Sequence, residues 1–182
     1  MSRIQQIRFS GFGGQGVVLA GLLLGQAGAM EGRYVSGSNS YGAQARGSGC
    51  KSEVILSDHP VDFPHLIIAD ILITMSQGAY DLYWKDVRED SGWILYDRDF
   101  VTPKENRRVK QIGIPATHLA IERLKNKQVA NIVFLGALVE LTRIVSPRAL
   151  RKAIALHVTE RYRPLNLKAF RLGMDAGRKI HG

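Results

Sequence analysis

Four glycines within six positions, Gly11, Gly13, Gly14 and Gly16, form the residue pattern with the clearest chemical meaning in this sequence. Gly11, Gly13 and Gly16 satisfy the spacing G-x-G-x-x-G, and a short alternating segment, residues 4–10, precedes them. A glycine-rich turn between a strand and a helix presents backbone N–H groups and the positive end of the helix dipole, which together bind phosphate. The pattern predicts an anion-binding turn; the other interpretation is that the glycines only allow close packing of strand, turn and helix.

A dinucleotide site also needs an acidic side chain about 20 residues after the glycines, at the end of the second strand. Here that place holds Ser36, Gly37, Ser38 and Asn39, while Glu31 comes before the predicted strand. No arginine cluster lies nearby to bind the 2′-phosphate of NADP. A free-standing nucleotide-binding oxidoreductase therefore stays an alternative that the sequence does not favour.

The other reactive side chains show no spacing that is typical of catalysis or metal binding. The five histidines lack the H-x-x-x-H and H-E-x-x-H patterns. The one cysteine, Cys50, cannot form an internal disulfide or hold an iron–sulfur cluster, and it indicates a reducing, cytoplasmic setting. Arg46 and Lys51 would lower the pKa of its thiol, but a small buried strand residue is the commoner role of such a cysteine.

The elements that must position these residues are predicted from apolar periodicity. Strands are predicted over residues 4–10, 33–36, 51–57, 68–75, 92–97 and 109–115. Helices are predicted over residues 16–30, from the cap Ser76 to about Arg88, over 116–125 and 129–143, from Ser146 and Pro147 to about Thr159, and from Asn166 onwards. Residues 37–49 contain no large aliphatic side chain, and they are predicted to form a loop.

Strands alternate with helices in the first part of the chain, and helices dominate the second part. This order is typical of an α/β fold: a three-layer Rossmann-like domain with a mostly parallel sheet, helices on both faces and a helix-rich C-terminal part. The first strand–helix–strand unit requires a parallel crossover. The length of 182 residues favours a single domain over residues 1–182.

The net charge of +9 is unevenly distributed along the chain. Through Asp97 there are 7 Lys/Arg and 10 Asp/Glu, whereas from Arg98 there are 18 and 6. A basic half favours an anionic partner, so a nucleic-acid-binding module is a further alternative, and a solvated helical surface is another. The longest apolar stretch, residues 17–30, is shorter than the ~20 residues that cross a bilayer, and the first ten residues do not resemble a signal peptide.

Two glycine-rich segments followed by a strand carry a resemblance to a known family. GFGGQG from Gly11, SYGAQARGSG from Ser40 and KSEVILSD from Lys51 resemble the gamma subunit of the 2-oxoacid:ferredoxin oxidoreductases. The resemblance covers roughly residues 3–58, and IADILITMSQGAY from Ile68 fits the family's pattern in a general way. One departure is Ser48, where the family usually has a second glycine.

The resemblance implies a subunit of a larger enzyme that is inactive by itself. Such enzymes decarboxylate a 2-oxoacid on thiamine diphosphate, pass electrons through iron–sulfur clusters to ferredoxin, and transfer the acyl group to coenzyme A. It implies alpha, beta and in some cases delta subunits as partners, with thiamine diphosphate and the clusters on those chains. It implies no metal, nucleic acid or membrane for this chain, and SYGAQARG leans towards the 2-oxoglutarate type.

The resemblance also implies that this domain contributes to coenzyme A binding and to subunit contacts. The residues expected to do so are Gly11, Gly13, Gly14, Gln15, Gly16, Ser40, Tyr41 and Arg46. Arg46 suits either an anionic oxygen of coenzyme A or a salt bridge across a subunit interface. We expect the two glycine-rich segments to converge at the carboxyl edge of the sheet. Whether the isolated chain forms a homodimer stays open.

Overall fold

The computed structural model describes residues 4–41, 49–63 and 65–181. The strands are β1 Ile4–Phe12, β2 Tyr34–Tyr41, β3 Gly49–Ser57, β4 Ile71–Thr74, β5 Trp93–Asp97 and β6 Lys110–Ile114. The helices are α1 Val17–Met30, α2 Gln77–Tyr83, α3 Ala116–Leu124, α4 Ala130–Thr142, α5 Pro147–His157 and α6 Arg163–His181. Short 3-10 turns lie at Trp84–Asp86, Lys127–Val129 and Glu160–Tyr162.

The strands form one sheet in the order β2-β3-β1-β4-β5-β6. Pairing is parallel from β1 through β4 and β5 to β6, and β3 is antiparallel to both β1 and β2. Among the described strands, β3 is thus the one that opposes the others, and the prediction of a mostly parallel sheet is confirmed. The first strand–helix–strand unit does connect two strands of the same direction, but β3 lies between them.

Helices cover both faces of the sheet unequally, which confirms the three-layer prediction. Alternate β1 residues, Ile7 and Phe9, point into a large core shared with α1, α3, α4, α5 and α6. On the other face, Leu72 and Ile94 pack with Tyr80 of α2 in a smaller core. The helix-rich C-terminal part therefore forms most of one layer.

Helix α4 lies at the centre of the larger core and is apolar on all sides. Eleven of its thirteen residues are buried, because α4 packs against α6, α3 and α1 and its side chains share the larger core with the sheet. The α4 and α6 backbones approach so closely that a methyl group on Gly173 would overlap the carbonyl oxygen of Val133. This packing determines which side of α6 faces outward.

Two predicted helix starts are confirmed by the caps that form them. The Ser76 hydroxyl accepts a hydrogen bond from the Ala79 N–H at 3.3 Å, and the Ser146 hydroxyl accepts one from the Ala149 N–H at 3.1 Å. Helix α2 ends at Tyr83 and continues only as a 3-10 turn, so the predicted end near Arg88 is too late.

Two other predicted boundaries are wrong. Residues 37–41 belong to β2 and residues 49–50 to β3, because backbone pairing between these strands does not need apolar side chains. The last helix begins at Arg163 and not at Asn166, since the preceding 3-10 turn leads directly into it with Pro164 in the first turn. Asn166 instead donates its side-chain amide to the Tyr162 carbonyl at 2.8 Å.

The face of the sheet opposite α1 carries a paired cluster of charges, formed by Arg8, Lys51, Glu53 and Asp86. Arg8 bonds Glu53 and Asp86 at 2.9 Å each, and Lys51 bonds Glu53 at 2.9 Å. The Arg8 and Glu53 side chains are each only 6% exposed, and the Arg8 guanidinium lies 4.6 Å from the ring centroid of Tyr83. The cations of this cluster are therefore neutralised within the fold.

Burial by itself would raise the pKa of Glu53. The hydrogen bond from Lys51 and the charge of Arg8 outweigh that effect, and the pKa of this carboxyl lies below its ordinary value. Glu53 is thus held as a carboxylate.

Within the part of the chain that the structure describes, no helix combines the length and the apolar character needed to span a membrane.

Candidate functional site

The first glycine-rich segment forms a turn at the carboxyl end of β1. Gly14 and Gly16 have φ angles of +94° and +73°, a region that favours glycine. A side chain at Gly16 would also overlap the amide of Asn131, whereas the space beside Gly14 is open. Packing against Asn131 thus requires glycine at position 16. At position 14 the space beside the backbone is open.

Gln15 holds this turn in shape. Its side-chain oxygen accepts a hydrogen bond from the Phe12 N–H at 2.7 Å, and its side-chain amide donates to the Met75 carbonyl at 3.0 Å. Gly11 lies within β1 opposite Cys50 of β3. Since both polar ends of the Gln15 side chain are used within the protein, Gln15 positions the turn and leaves ligand contacts to its backbone neighbours.

Free backbone donors line the turn. In the described residues, the N–H groups of Gly14 and Gly16 have no hydrogen-bond acceptor, and no side chain caps the start of α1. The first N–H groups of a helix are unpaired along the chain and lie at the positive end of its dipole. Donors of this kind suit an anion, and the anion-binding role of the turn stays a prediction.

A small cavity of about 110 Å³ opens beside this turn. Its lining combines the turn, the residue that follows β4 and the starts of α3 and α4: Gly14, Gln15, Met75, Thr117, Lys127, Gln128 and Ala130. Lys127 adds a positive charge that sequence reasoning missed, because Lys127 lies more than 100 residues from the turn and belongs to no motif. Lys127 lies in the 3-10 turn that leads into α4, and this position just before a helix is the only sequence feature that points to a role in the site.

Asp97 supports one wall of this cavity without facing it. This carboxylate ends β5, is fully buried and accepts hydrogen bonds from the Thr117 hydroxyl at 2.7 Å and the Thr117 N–H at 3.2 Å. Burial raises the pKa of Asp97 above its ordinary value, although the hydrogen bonds from Thr117 act against the rise. Asp97 fixes the start of α3, which has no side-chain cap of its own.

The second glycine-rich segment leaves the sheet at the same edge. In the strand register Tyr41 pairs with Cys50, and Cys50 pairs with Gly11. With neighbouring strands ~4.8 Å apart, the Tyr41 backbone lies about 10 Å from the first turn. Ser40 pairs with Lys51 one step earlier. The expected convergence thus holds for the described ends of the two segments, and Arg46 lies outside the described residues.

Cys50 is a buried strand residue. It is 7% exposed, and burial raises the pKa of its thiol above the ordinary value. A reactive cysteine needs the opposite shift, since the thiolate is the nucleophile. The interpretation of Cys50 as a small packing residue is therefore the one that the structure supports.

The strand order also differs from that of dinucleotide-binding folds. In dinucleotide-binding folds the second strand lies beside the first, so that its terminal acid reaches the ribose. Here β3 separates β1 from β2, and β2 ends in Asn39, Ser40 and Tyr41 without an acid. Across residues 4–41, 49–63 and 65–181, no three His, Cys, Asp or Glu side chains are grouped to hold a metal ion.

Comparison with known proteins gives consistent matches along nearly the whole chain. Residues 6–176 match the model of the pyruvate ferredoxin/flavodoxin oxidoreductase family. The 2-oxoglutarate synthase subunit KorC of Methanocaldococcus jannaschii is 44% identical over 97% of this chain and 95% of its own. The protein of that name from Methanothermobacter thermautotrophicus is 42% identical over 94% of each chain.

A solved structure agrees with these matches. The gamma subunit of a keto/oxoacid ferredoxin oxidoreductase from Geobacter sulfurreducens superposes with a TM-score of 0.85 at 38% identity, over 96% of this chain and 99% of its own. These comparisons do not support the free-standing nucleotide-binding oxidoreductase or the nucleic-acid-binding module.

Proposed function

This chain belongs to the pyruvate ferredoxin/flavodoxin oxidoreductase family, and from that membership we propose that it is the gamma subunit of a 2-oxoglutarate:ferredoxin oxidoreductase. The observation that carries the proposal is the 44% identity to a 2-oxoglutarate synthase subunit over nearly the full length of both chains. A shared fold alone would not carry it, because one fold hosts many functions.

The assembled enzyme converts 2-oxoglutarate and coenzyme A to succinyl-coenzyme A and CO₂, and the two electrons released reduce ferredoxin. In this proposal the alpha and beta subunits, and delta where present, hold thiamine diphosphate and the iron–sulfur clusters, and the complex is cytoplasmic. One cysteine is too few for a cluster on this chain. The gamma subunit contributes to assembly and to binding of coenzyme A.

The cavity beside the glycine-rich turn supports a role in binding the phosphate-bearing part of coenzyme A. Its volume of about 110 Å³ suits a phosphate group, and free N–H groups and the Lys127 ammonium provide donors of the matching charge. Coenzyme A supplies the thiol that accepts the acyl group. In this assignment the N–H groups of Gly13, Gly14 and Gly16 and the side chain of Lys127 hold its phosphates.

Ser40, Tyr41 and Arg46 extend this assignment to the second glycine-rich segment. Arg46 gives paired hydrogen bonds to a phosphate oxygen or forms a salt bridge with a neighbouring subunit. Gly11 and Gln15 support the site by keeping the turn closed.

Reconstitution of the enzyme tests the assignment of function. The chain co-expressed with its alpha and beta subunits is expected to co-purify with them and to reduce ferredoxin faster with 2-oxoglutarate than with pyruvate. The isolated chain is expected to show no turnover. Turnover by the chain alone, or equal rates with both 2-oxoacids, would contradict the proposal.

Variants in the assembled enzyme test the coenzyme A assignment separately. Lys127→Ala and Arg46→Ala each remove a charge-assisted hydrogen bond of about 1.5–3 kcal/mol, which corresponds to a rise of roughly 10- to 100-fold in KM for coenzyme A. Decarboxylation of 2-oxoglutarate should persist in both. Arg123→Ala, on the exposed surface of α3, is the matched control and should leave KM unchanged. An unchanged KM in Lys127→Ala would remove Lys127 from the site.

A further inference from the structure

The last two helices carry most of the excess positive charge. Residues 147–181 contain nine Lys/Arg and two Asp/Glu, and so account for +7 of the net charge of +9. The nine are Arg148, Arg151, Lys152, Arg161, Arg163, Lys168, Arg171, Arg178 and Lys179. Such a concentration on two helices produces a strong local field.

Almost none of these charges is neutralised within the fold. Of the nine, and within the described residues, only Arg178 lies within 4 Å of a carboxylate, at 3.2 Å from Asp175 and 3.6 Å from Glu140. The remaining eight have no ion-pair partner in that part of the chain. Mutual repulsion among them destabilises the isolated subunit slightly, and a negatively charged partner would remove it.

Four of the nine cations surround a cleft of about 590 Å³ between α5 and α6. Arg151 enters from α5, whereas Lys168, Arg171 and Arg178 come from α6. These α6 positions are three and seven residues apart and so share one side of the helix. The opposite side of α6 is taken by the contact of Gly173 with α4, which keeps the cationic side outward.

The lining of this cleft is apolar as well as cationic, and its carboxylate, Asp175, is paired with Arg178. Leu167, Phe170 and Met174 contribute apolar surface, and Phe170 is only 1% exposed. A nucleic acid would call for exposed aromatic rings on which bases stack, and the cleft lining offers none in the described residues. Apolar surface between cations suits an acidic polypeptide whose apolar side chains enter the cleft while its carboxylates meet the rim.

We propose that the α5–α6 cleft is the docking site for an acidic segment of a sister subunit of the oxidoreductase. The inference rests on the proposed function, which provides the sister subunits, and it adds the surface and the chemistry of the contact. The charged surface extends along both helices beyond the cleft, and α6 alone is about 28 Å long at 1.5 Å per residue. A small anion would neutralise only part of this surface, whereas a protein surface can cover all of it.

Charge reversal in the assembled enzyme tests the proposal. The double variant Lys168→Glu/Arg171→Glu is co-expressed with the alpha and beta subunits, and the amount that co-purifies at 150 mM NaCl is measured. We expect a loss of about tenfold or more, because like charges across an interface repel. The matched control Arg107→Glu/Arg123→Glu makes the same change of net charge at exposed positions outside the cleft and should stay within about twofold of wild type.

A charge-neutralising variant and a measurement of folding distinguish a lost contact from an unfolded subunit. Lys168→Gln/Arg171→Gln should lose an intermediate amount of complex, and the melting temperature of each isolated variant should match wild type. A reversed variant that folds and assembles like wild type would overturn the inference about the cleft while leaving the proposed function intact. A wild-type chain that does not assemble with the other subunits would overturn both.

A nucleic-acid-binding assay tests whether the cleft binds nucleic acid instead of a protein segment. Fluorescence anisotropy of a labelled single strand and of a duplex is measured from 50 to 200 mM NaCl. Tight binding by wild type that falls steeply with salt and is lost in Lys168→Glu/Arg171→Glu would assign the cleft to nucleic acid and overturn the proposal.

Discussion

The paired cluster on the sheet and the α5–α6 cleft use the same kind of residue in opposite ways. Arg8 and Lys51 in the paired cluster bond to Glu53 within the fold, and Arg8 is nearly inaccessible to water. Arg151, Lys168 and Arg171 in the cleft are exposed, and none of the three forms an ion pair in the described chain, although Asp175, which pairs with Arg178, lines the same cleft. Charges that a fold needs are compensated inside it, whereas uncompensated charges are available to a partner.

The cations of the paired cluster therefore contribute to the stability of the fold, whereas those of the cleft are available for assembly with a partner. Removing Arg8 from the paired cluster takes away one of two cations that pair with the buried Glu53 carboxylate, which is costly to the folded state. Removing a cation of the cleft leaves nothing unpaired and relieves repulsion. Single substitutions in the two regions test that contrast.

Arg8→Met should produce the largest loss of stability. The methionine fills similar space but leaves Lys51 as the remaining cation beside the buried Glu53 carboxylate in the described chain and removes the partner of Asp86, and breaking a buried pair in this way costs about 3–5 kcal/mol. Urea unfolding of the isolated chain, followed by circular dichroism, measures the change. A loss of unfolding free energy below about 1 kcal/mol would show that the Arg8 pair contributes no more than a surface ion pair does. In that case Lys51 alone compensates the Glu53 carboxylate.

Glu53→Gln should show an intermediate loss that depends on pH. At pH 7 the variant loses charge-assisted hydrogen bonds, and we expect a loss of about 1–3 kcal/mol. The pKa of Glu53 is lowered in the folded state, so its contribution is present above the ordinary value of 4.5 and is lost as pH falls through the folded value. The difference between wild type and variant should therefore narrow between pH 5 and pH 3.

Urea unfolding at several pH values measures that difference directly. Glu105→Gln is the control, because the Glu105 side chain is 81% exposed, and its difference from wild type should stay near zero throughout. A gap between wild type and Glu53→Gln that widens on acidification would show that the carboxylate is not held in its charged form.

Arg171→Met should have the smallest effect on the isolated chain. The same chemical change as Arg8→Met is made at an exposed, unpaired position, where substitutions usually stay within about 0.5 kcal/mol. Urea unfolding under the same conditions gives the comparison. A loss approaching that of Arg8→Met would show that the cleft cations stabilise the fold, and the contrast between the two regions would fail.

Much of the candidate site follows from local sequence. The four glycines and the short strand before them predict the turn, because positive φ angles and close packing both favour glycine. Ser76 and Ser146 predict helix starts through their own hydroxyl groups. The serine-rich segment after residue 36 is wrongly predicted to be a loop, since strand pairing through the backbone leaves little signal in side-chain type.

The parts that sequence reasoning missed depend on distant segments. Lys127 lies beside the turn only because α4 packs against α1. The start of α6 is an exception with a local cause: it lies three residues before Asn166 because a 3-10 turn continues into the helix without a break.

Local residue patterns are enough to predict the glycine-rich turn, the alternation of strands and helices, and the basic character of the second half. Which of the charges are neutralised depends on the folded chain. The register of β1 on β3 places Arg8 opposite Glu53, 45 residues away, while the packing of α6 on α4 leaves Lys168 and Arg171 on the outer side of the helix, where neither forms an ion pair within the described chain. Composition gives the number of charges, but pairing depends on distances of a few ångströms between groups that only the folded chain brings together.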